Sequence, residues 1–124
     1  MGADWRTFCR GSSVEVDGDG VLVRFESGRR HRVRVLATED AFEFHAVVVR
    51  SFAGRSSGDL ALRLWRLNRT TQLVSFRIDP RGRIVASGWL PTAGATAREF
   101  LMVLRRVAVE SDRLEYLLTG KDRE

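Results

Sequence analysis

A chain of 124 residues is sized for one domain and can bury a core without disulfide or metal support. Hydrophobic residues at 44% and charged residues at 30% exclude a disordered chain, and no apolar run approaches the roughly 20 residues of a membrane span. The net charge of +5 rests on 21 basic residues of which Lys121 is the one lysine, and so heavy an arginine bias reflects genome composition as readily as a binding surface.

Met1 to Arg10 mixes Asp4, Arg6 and Arg10 with Trp5, Phe8 and Cys9, so it holds no signal-peptide core and a cytoplasmic protein is expected. Cys9, the single cysteine, allows neither an internal disulfide nor a cysteine-rich zinc site. A short helix over Asp4–Arg10 is expected before the first strand.

Turn signals then divide the chain. Asp17-Gly18-Asp19-Gly20 separates Ser13–Val16 from Val21–Glu26 as a tight hairpin would, and Ser27-Gly28 separates that run from Arg30–Leu36. Glu39-Asp40 precedes Ala41–Val49. Val21, Val23 and Phe25, then Val33 and Val35, then Phe42, Phe44, Ala46 and Val48 alternate at period two, the pattern of half-buried antiparallel strands. Ser51 to Gly58 reads as a loop, with Ser57 capping a helix over Asp59–Leu67. Leu60, Leu64 and Leu67 form its apolar stripe, with Ala61 and Trp65 widening it and Asn68 ending it.

Val74, Phe76 and Ile78 alternate with polar residues up to Asp79-Pro80-Arg81-Gly82, which has proline and glycine placed for a type I turn and a left-handed residue. Arg83–Leu90 returns as a strand and Pro91 stops it. Thr96 and Glu99 have capping-box spacing at the head of a helix over Ala97–Thr119. Its stripe is Phe100, Leu104, Val107, Ala108, Leu114 and Leu118, interrupted by Ser111, and Gly120-Lys121 suits its C-terminus.

The fold class expected is therefore α+β, with one domain over residues 1–124. An antiparallel sheet of about five strands carries helices packed on one face, in the order β-β-β-α-β-β-α after the short N-terminal helix. Alternation also populates the opposite face with Leu22, Leu36, Val47, Val49, Leu73, Val85 and Trp89, mixed with Arg24, Arg32, Arg34 and Arg77. That mixture is too apolar for a plain wetted surface and too charged for a core, as where a partner docks. Leu36, Val47, Val49, Val85 and Trp89 are the candidate protein-binding or dimer surface. Trp65, on its leucine-rich helix, is expected in the core, while Trp89 beside Pro91 suits an interface.

The chemistry candidates are thin. Gly54-Arg55-Ser56-Ser57-Gly58 fits the nucleophile-elbow pattern G-x-S-x-G, but His31 and His45 both precede Ser56 and the chain is too short for the parallel sheet that holds such an elbow. His31 and His45 lie on neighbouring strands with only Glu43 nearby, too few ligands for zinc. No phosphate-binding loop or dinucleotide fingerprint occurs, so no cofactor, metal or catalytic residue is assigned and no enzyme is expected. Arg24–Arg34 holds five arginines against Glu26, a local balance of +4. Arg24, Arg30, Arg32 and Arg34 are accordingly the candidate polyanion contacts, those on one strand standing about 7 Å apart. Nucleic acid is nonetheless the second reading, because RRM aromatics, a helix-turn-helix pair and a GXXG loop are missing.

Leu64-Trp65-Arg66-Leu67-Asn68, then Val74-Ser75-Phe76-Arg77-Ile78-Asp79 with Gly82, and Gly88-Trp89-Leu90-Pro91 resemble the bacterial YbjN-like family, whose members look like type III secretion chaperones in fold. Asp112, Leu114, Tyr116 and Leu117 are similar to the family's closing helix. The resemblance covers Leu60 to Leu118 well and implies a compact α+β module, often a homodimer, that binds another protein, has no cofactor and is no enzyme. Family members often open with a full helix, where this chain has only Asp4 to Arg10. Secretion chaperones tend to be acidic, so a basic relative implies a different, acidic partner.

Overall fold

The computed structural model describes residues 4–49 and 57–119. The Ser56 elbow pattern and the Gly120-Lys121 helix end lie outside the described residues. A 3-10 helix, Trp5–Cys9, precedes strands β1 (Glu15–Asp17), β2 (Gly20–Arg24), β3 (Arg30–Ala37) and β4 (Ala41–Val49), helix α1 (Ser57–Thr70), strands β5 (Ser75–Ile78) and β6 (Ile84–Pro91), and helix α2 (Ala97–Thr119). The strands form one antiparallel sheet in the order β1-β2-β3-β4-β6-β5. The α+β architecture read from the sequence is the one found. It has six strands, because the run after Ser13 pairs with β2 in the register Glu15↔Leu22 and Asp17↔Gly20 as a separate first strand.

Period-two alternation explains which face is buried. Val21 and Val33, Val35 and Phe44, and Ala46 and Ala86 are cross-strand partners, all 4% exposed or less, and all point toward α2. From α2, Phe100, Val103, Leu104, Val107, Ala108, Leu114 and Leu118 descend on this surface at helical spacing. Gly88 lets the helix come close: a Cβ there would stand 2.8 Å from Val107 and 2.9 Å from Val103. Ser111, which breaks the stripe in sequence, is fully buried and donates its hydroxyl to the Val107 carbonyl at 2.7 Å, so its polarity is answered inside the helix. The capping box is made, with the Glu99 N–H donating to Thr96 Oγ1 and the Thr96 N–H to Glu99 Oε1, both at 3.2 Å.

The N-terminal 3-10 helix closes one end of this core. Asp4 caps it through the Arg6 N–H, and Trp5 stacks on Phe100 at 6.0 Å while Phe8 meets Phe42 edge-on. Cys9 is buried beside them, and burial pushes its thiol pKa up, away from the reactive thiolate.

Three local expectations are corrected. Helix α1 starts at Ser57 and runs past Asn68 to Thr70, longer at both ends than Asp59–Leu67. Asn68 does not end the helix; its amide clamps β5, donating from Nδ2 to the Phe76 carbonyl at 2.9 Å and accepting the Phe76 N–H at 2.7 Å. At Phe76 the outer edge of β5 is thereby satisfied by a side chain rather than left open. Trp65 is not core: it is 57% exposed, with the Arg69 guanidinium 5.1 Å from its ring centre. Helix α1 lies along the sheet edge, so Leu60 and Leu64 join the core cluster, Leu67 packs against it half-buried, and Ala61 and Trp65 face outward.

Candidate docking face on the open side of the sheet

The side of the sheet away from α2 is ordered by register. One cross-strand row reads Asp17, Gly20, Arg34, His45, Ser87 and Ser75, and a second reads Leu36, Glu43 and Trp89. Further rows pair Glu15 with Leu22 and Arg32, and Val47 with Val85 and Arg77. Among the proposed surface residues, Leu36 and Trp89 are 42% and 60% exposed, Val47 is half-buried and Val85 is buried. Val49 departs from the expected set. A register shift between Val47 and Val49 pairs Val49 with the core residue Ile84, and its side chain packs against the core cluster.

The arginine cluster is largely answered from within. Glu15 pairs with Arg24 at 3.1 Å, Asp19 takes Arg32 at 2.7 Å and Arg34 at 3.0 Å, and Asp17 adds a 3.4 Å contact to Arg32. The hydrogen bond from Arg32 is the foremost reason that the Asp19 carboxyl is held below the usual carboxylate range, and Arg32 is raised in return. Arg30 and Arg77 make no ion pair among the described residues. The local charge counted along the chain therefore shrinks in space, because the β1–β2 hairpin brings three carboxylates onto the arginines of β2 and β3. The alternation of Glu15, Asp17 and Asp19 is the signal that could have revealed this.

Two depressions mark this face. A cleft of about 440 Å³ lies between the end of α1 and β6, walled by Leu73 and Trp89, with His45, Ser75 and Ser87 on its floor. Leu73 is 53% exposed and holds φ 70°, a left-handed conformation unusual for leucine that turns an apolar side chain outward. A broader groove of about 890 Å³ covers the end of the sheet around Arg30, Val47, Val85 and Arg77.

Inside the smaller cleft, His45 Nδ1 lies 3.1 Å from Ser87 Oγ, and its Nε2 lies 3.2 Å from Glu43 Oε1. This has the members of a hydrolytic triad but not its setting. All three stand on central strands whose backbone N–H groups run in the sheet plane to neighbouring strands, so none is aimed at the face as an oxyanion donor. The other histidine is on the opposite side. His31 has Nε2 3.1 Å from the Val47 carbonyl, with Asp112 and Glu115 of α2 beside it, the three ligating atoms within 4.8 Å of one another. The two histidines thus cannot share a metal, and Asp112 is already ion-paired with Arg29.

No family model matches the chain, and no curated protein matches it by sequence. Solved structures do. A chain of the heterodimeric ExoU–SpcU complex from the type III secretion system of Pseudomonas aeruginosa superposes with a TM-score of 0.60 at 17% identity, covering 77% of this chain and 81% of that one. A chain of the complex of the Yersinia pestis type III secretion chaperone SycH with a stable fragment of YscM2 gives 0.56 at 12% identity, over 89% and 95%. The ExsC–ExsE complex gives 0.55 at 18%, over 87% and 84%. The fold is the type III secretion chaperone fold. Among the described residues, no helix is long and apolar enough to cross a membrane.

Proposed function

We propose that this chain is a non-enzymatic, chaperone-like module that binds another protein through the open side of its sheet and acts as a homodimer. The observation that carries this is the uncovered face itself: Leu36, Val47, Val85 and Trp89 stand on the side that α2 leaves free, within reach of two depressions. Its fold likeness to chains from complexes of a secretion chaperone with a protein fragment supports a protein partner. The resemblance to the YbjN-like family points the same way, and a cytoplasmic setting is part of the reading, with which the single cysteine is compatible.

Self-association has its own support in exposed apolar side chains along the α1 edge. Leu62 and Trp65, three residues apart and so on one face of α1, are 45% and 57% exposed. A second copy pairing through α1 leaves the open face to the partner. Light scattering of the wild type and of the Trp65→Asp and Trp89→Asp variants separates the two surfaces. A dimer that Trp65→Asp dissociates and Trp89→Asp leaves intact supports this division; a monomer at every concentration removes the homodimer.

A further inference from the structure

The broad groove has a chemistry of its own. Its floor is aliphatic, made by the cross-strand pair Val47 and Val85. Arg77 stands beside Val85 on β5, and Arg30 stands on β3 beyond β4, so two strands separate the arginines. At a strand spacing of about 4.8 Å, three steps across and an offset of two residues along β3 from the Val47 row place their backbones roughly 16 Å apart, the reach of about five extended residues. Both arginines are exposed and lack an ion-pair partner among the described residues, whereas neighbouring Arg32 and Arg34 already hold the Asp19 carboxylate.

We infer that the groove takes an extended acidic segment of a partner protein, with its carboxylates on Arg30 and Arg77 and its aliphatic side chains on Val47 and Leu36, which lines the same groove. This rests on the open-face reading above and adds the chemical class of the partner. Charge complementarity argues for it: of the five arginines lining the groove, Arg32 and Arg34 are answered by Asp17 and Asp19 and Arg83 by Asp79, which leaves Arg30 and Arg77 as the charges turned to a partner. The guanidinium fork can match a carboxylate in two parallel hydrogen bonds, and on this same face Asp19 already accepts one bond from Arg32 and one from Arg34, so arginines here do hold carboxylates. A nucleic-acid strand fits less well. No Phe, Trp or Tyr lines the groove, and its two histidines are engaged, His31 with the Val47 carbonyl and His45 with Ser87 and Glu43, so bases would find no large free ring to stack on.

The test uses a fluorescein-labelled peptide with Asp or Glu at alternate positions and Val or Leu between them, read by fluorescence anisotropy. Two further probes accompany it: the same peptide with Gln and Asn in place of the acids, and a labelled oligothymidylate. The acidic peptide is expected to bind, about tenfold or more tighter than its amide twin, with affinity falling as salt rises. The Arg30→Glu/Arg77→Glu double variant, at exposed positions, is expected to abolish that preference while melting like the wild type. Equal binding of both peptides, abolished by Val47→Asp and indifferent to the arginines, overturns the acidic class and leaves the open-face reading standing. Binding of oligothymidylate but neither peptide overturns the inference in favour of nucleic acid. Failure of all three probes to bind overturns it as well, and the positional cross-linking described in the Discussion then decides the open-face reading separately.

Discussion

The two sides of this sheet are built from the same strands and obey the same alternation, yet they do opposite things. Toward α2, Val33, Phe44, Ile84 and Ala86 are wholly buried and share one core cluster with the equally buried Phe100 and Leu104, the Phe44 and Phe100 ring centres lying 5.0 Å apart. One residue along each strand, the other side presents Arg34, His45, Val85 and Ser87, and the apolar members there range from 5% exposed at Val85 to 60% at Trp89. A one-residue shift in direction thus separates a core that holds the fold from a surface on which Val85 is covered but Leu36 and Trp89 stay open to water. The contrast predicts that substitutions on the first side act on stability and those on the second on association.

The largest effect is expected at Phe100, which touches Trp5, Phe8, Phe42 and Phe44. Phe100→Ala is expected to lower stability by about 3–5 kcal/mol in urea unfolding, since the cavity lies where the 3-10 helix, the sheet and α2 meet. A loss under about 1 kcal/mol would mean that this side is not the sole core.

Next comes the edge. Asn68→Ala removes both partners of the Phe76 backbone and is expected to cost about 1–2 kcal/mol, with faster hydrogen exchange at Phe76 than at β4. Exchange unchanged at Phe76 would show that α1 does not guard that edge.

A smaller, pH-dependent effect belongs to the β5–β6 turn. Burial raises the Asp79 pKa, but the N–H groups of Arg83 and Arg81 and the Arg83 guanidinium outweigh it and hold the carboxyl below its ordinary range. A carboxyl depressed in the folded state contributes stability that is complete above its unfolded pKa and lost as pH falls through the lower folded value. The stability gap between wild type and Asp79→Asn is therefore expected to be full at neutral pH and to close on acidification. A gap that widens in acid would reverse the assignment.

The smallest stability effect is expected on the open side. Trp89→Ser should change stability by no more than about 0.5 kcal/mol, because the ring is mostly in water. Substantial unfolding would place Trp89 with the core and erase the contrast.

How far these faces were legible in the sequence follows from which forces are local. Period-two runs and the Asp17–Gly20 and Asp79–Gly82 turns marked strands and hairpins, and Thr96 with Glu99 marked the start of α2, because alternation and capping are settled within a few residues. Trp65 was misplaced because helical spacing reveals a stripe but not how much of it a narrow sheet edge can cover. The inward turn of Val49 came from a bulge set by pairing with β6, far along the chain. The alternation of Glu15, Asp17 and Asp19 carried the signal of acids on one face of the hairpin, but which arginines they answer is set by the β1–β2–β3 register.

The most direct measurement is site-specific photo-cross-linking in the host cell, with a benzophenone side chain replacing Leu36 or Trp89 on the open side and Met102 on the outer surface of α2, all at least 42% exposed. Adducts with another protein from positions 36 and 89, and none from position 102, are the predicted result. Adducts from position 102 alone would contradict the account.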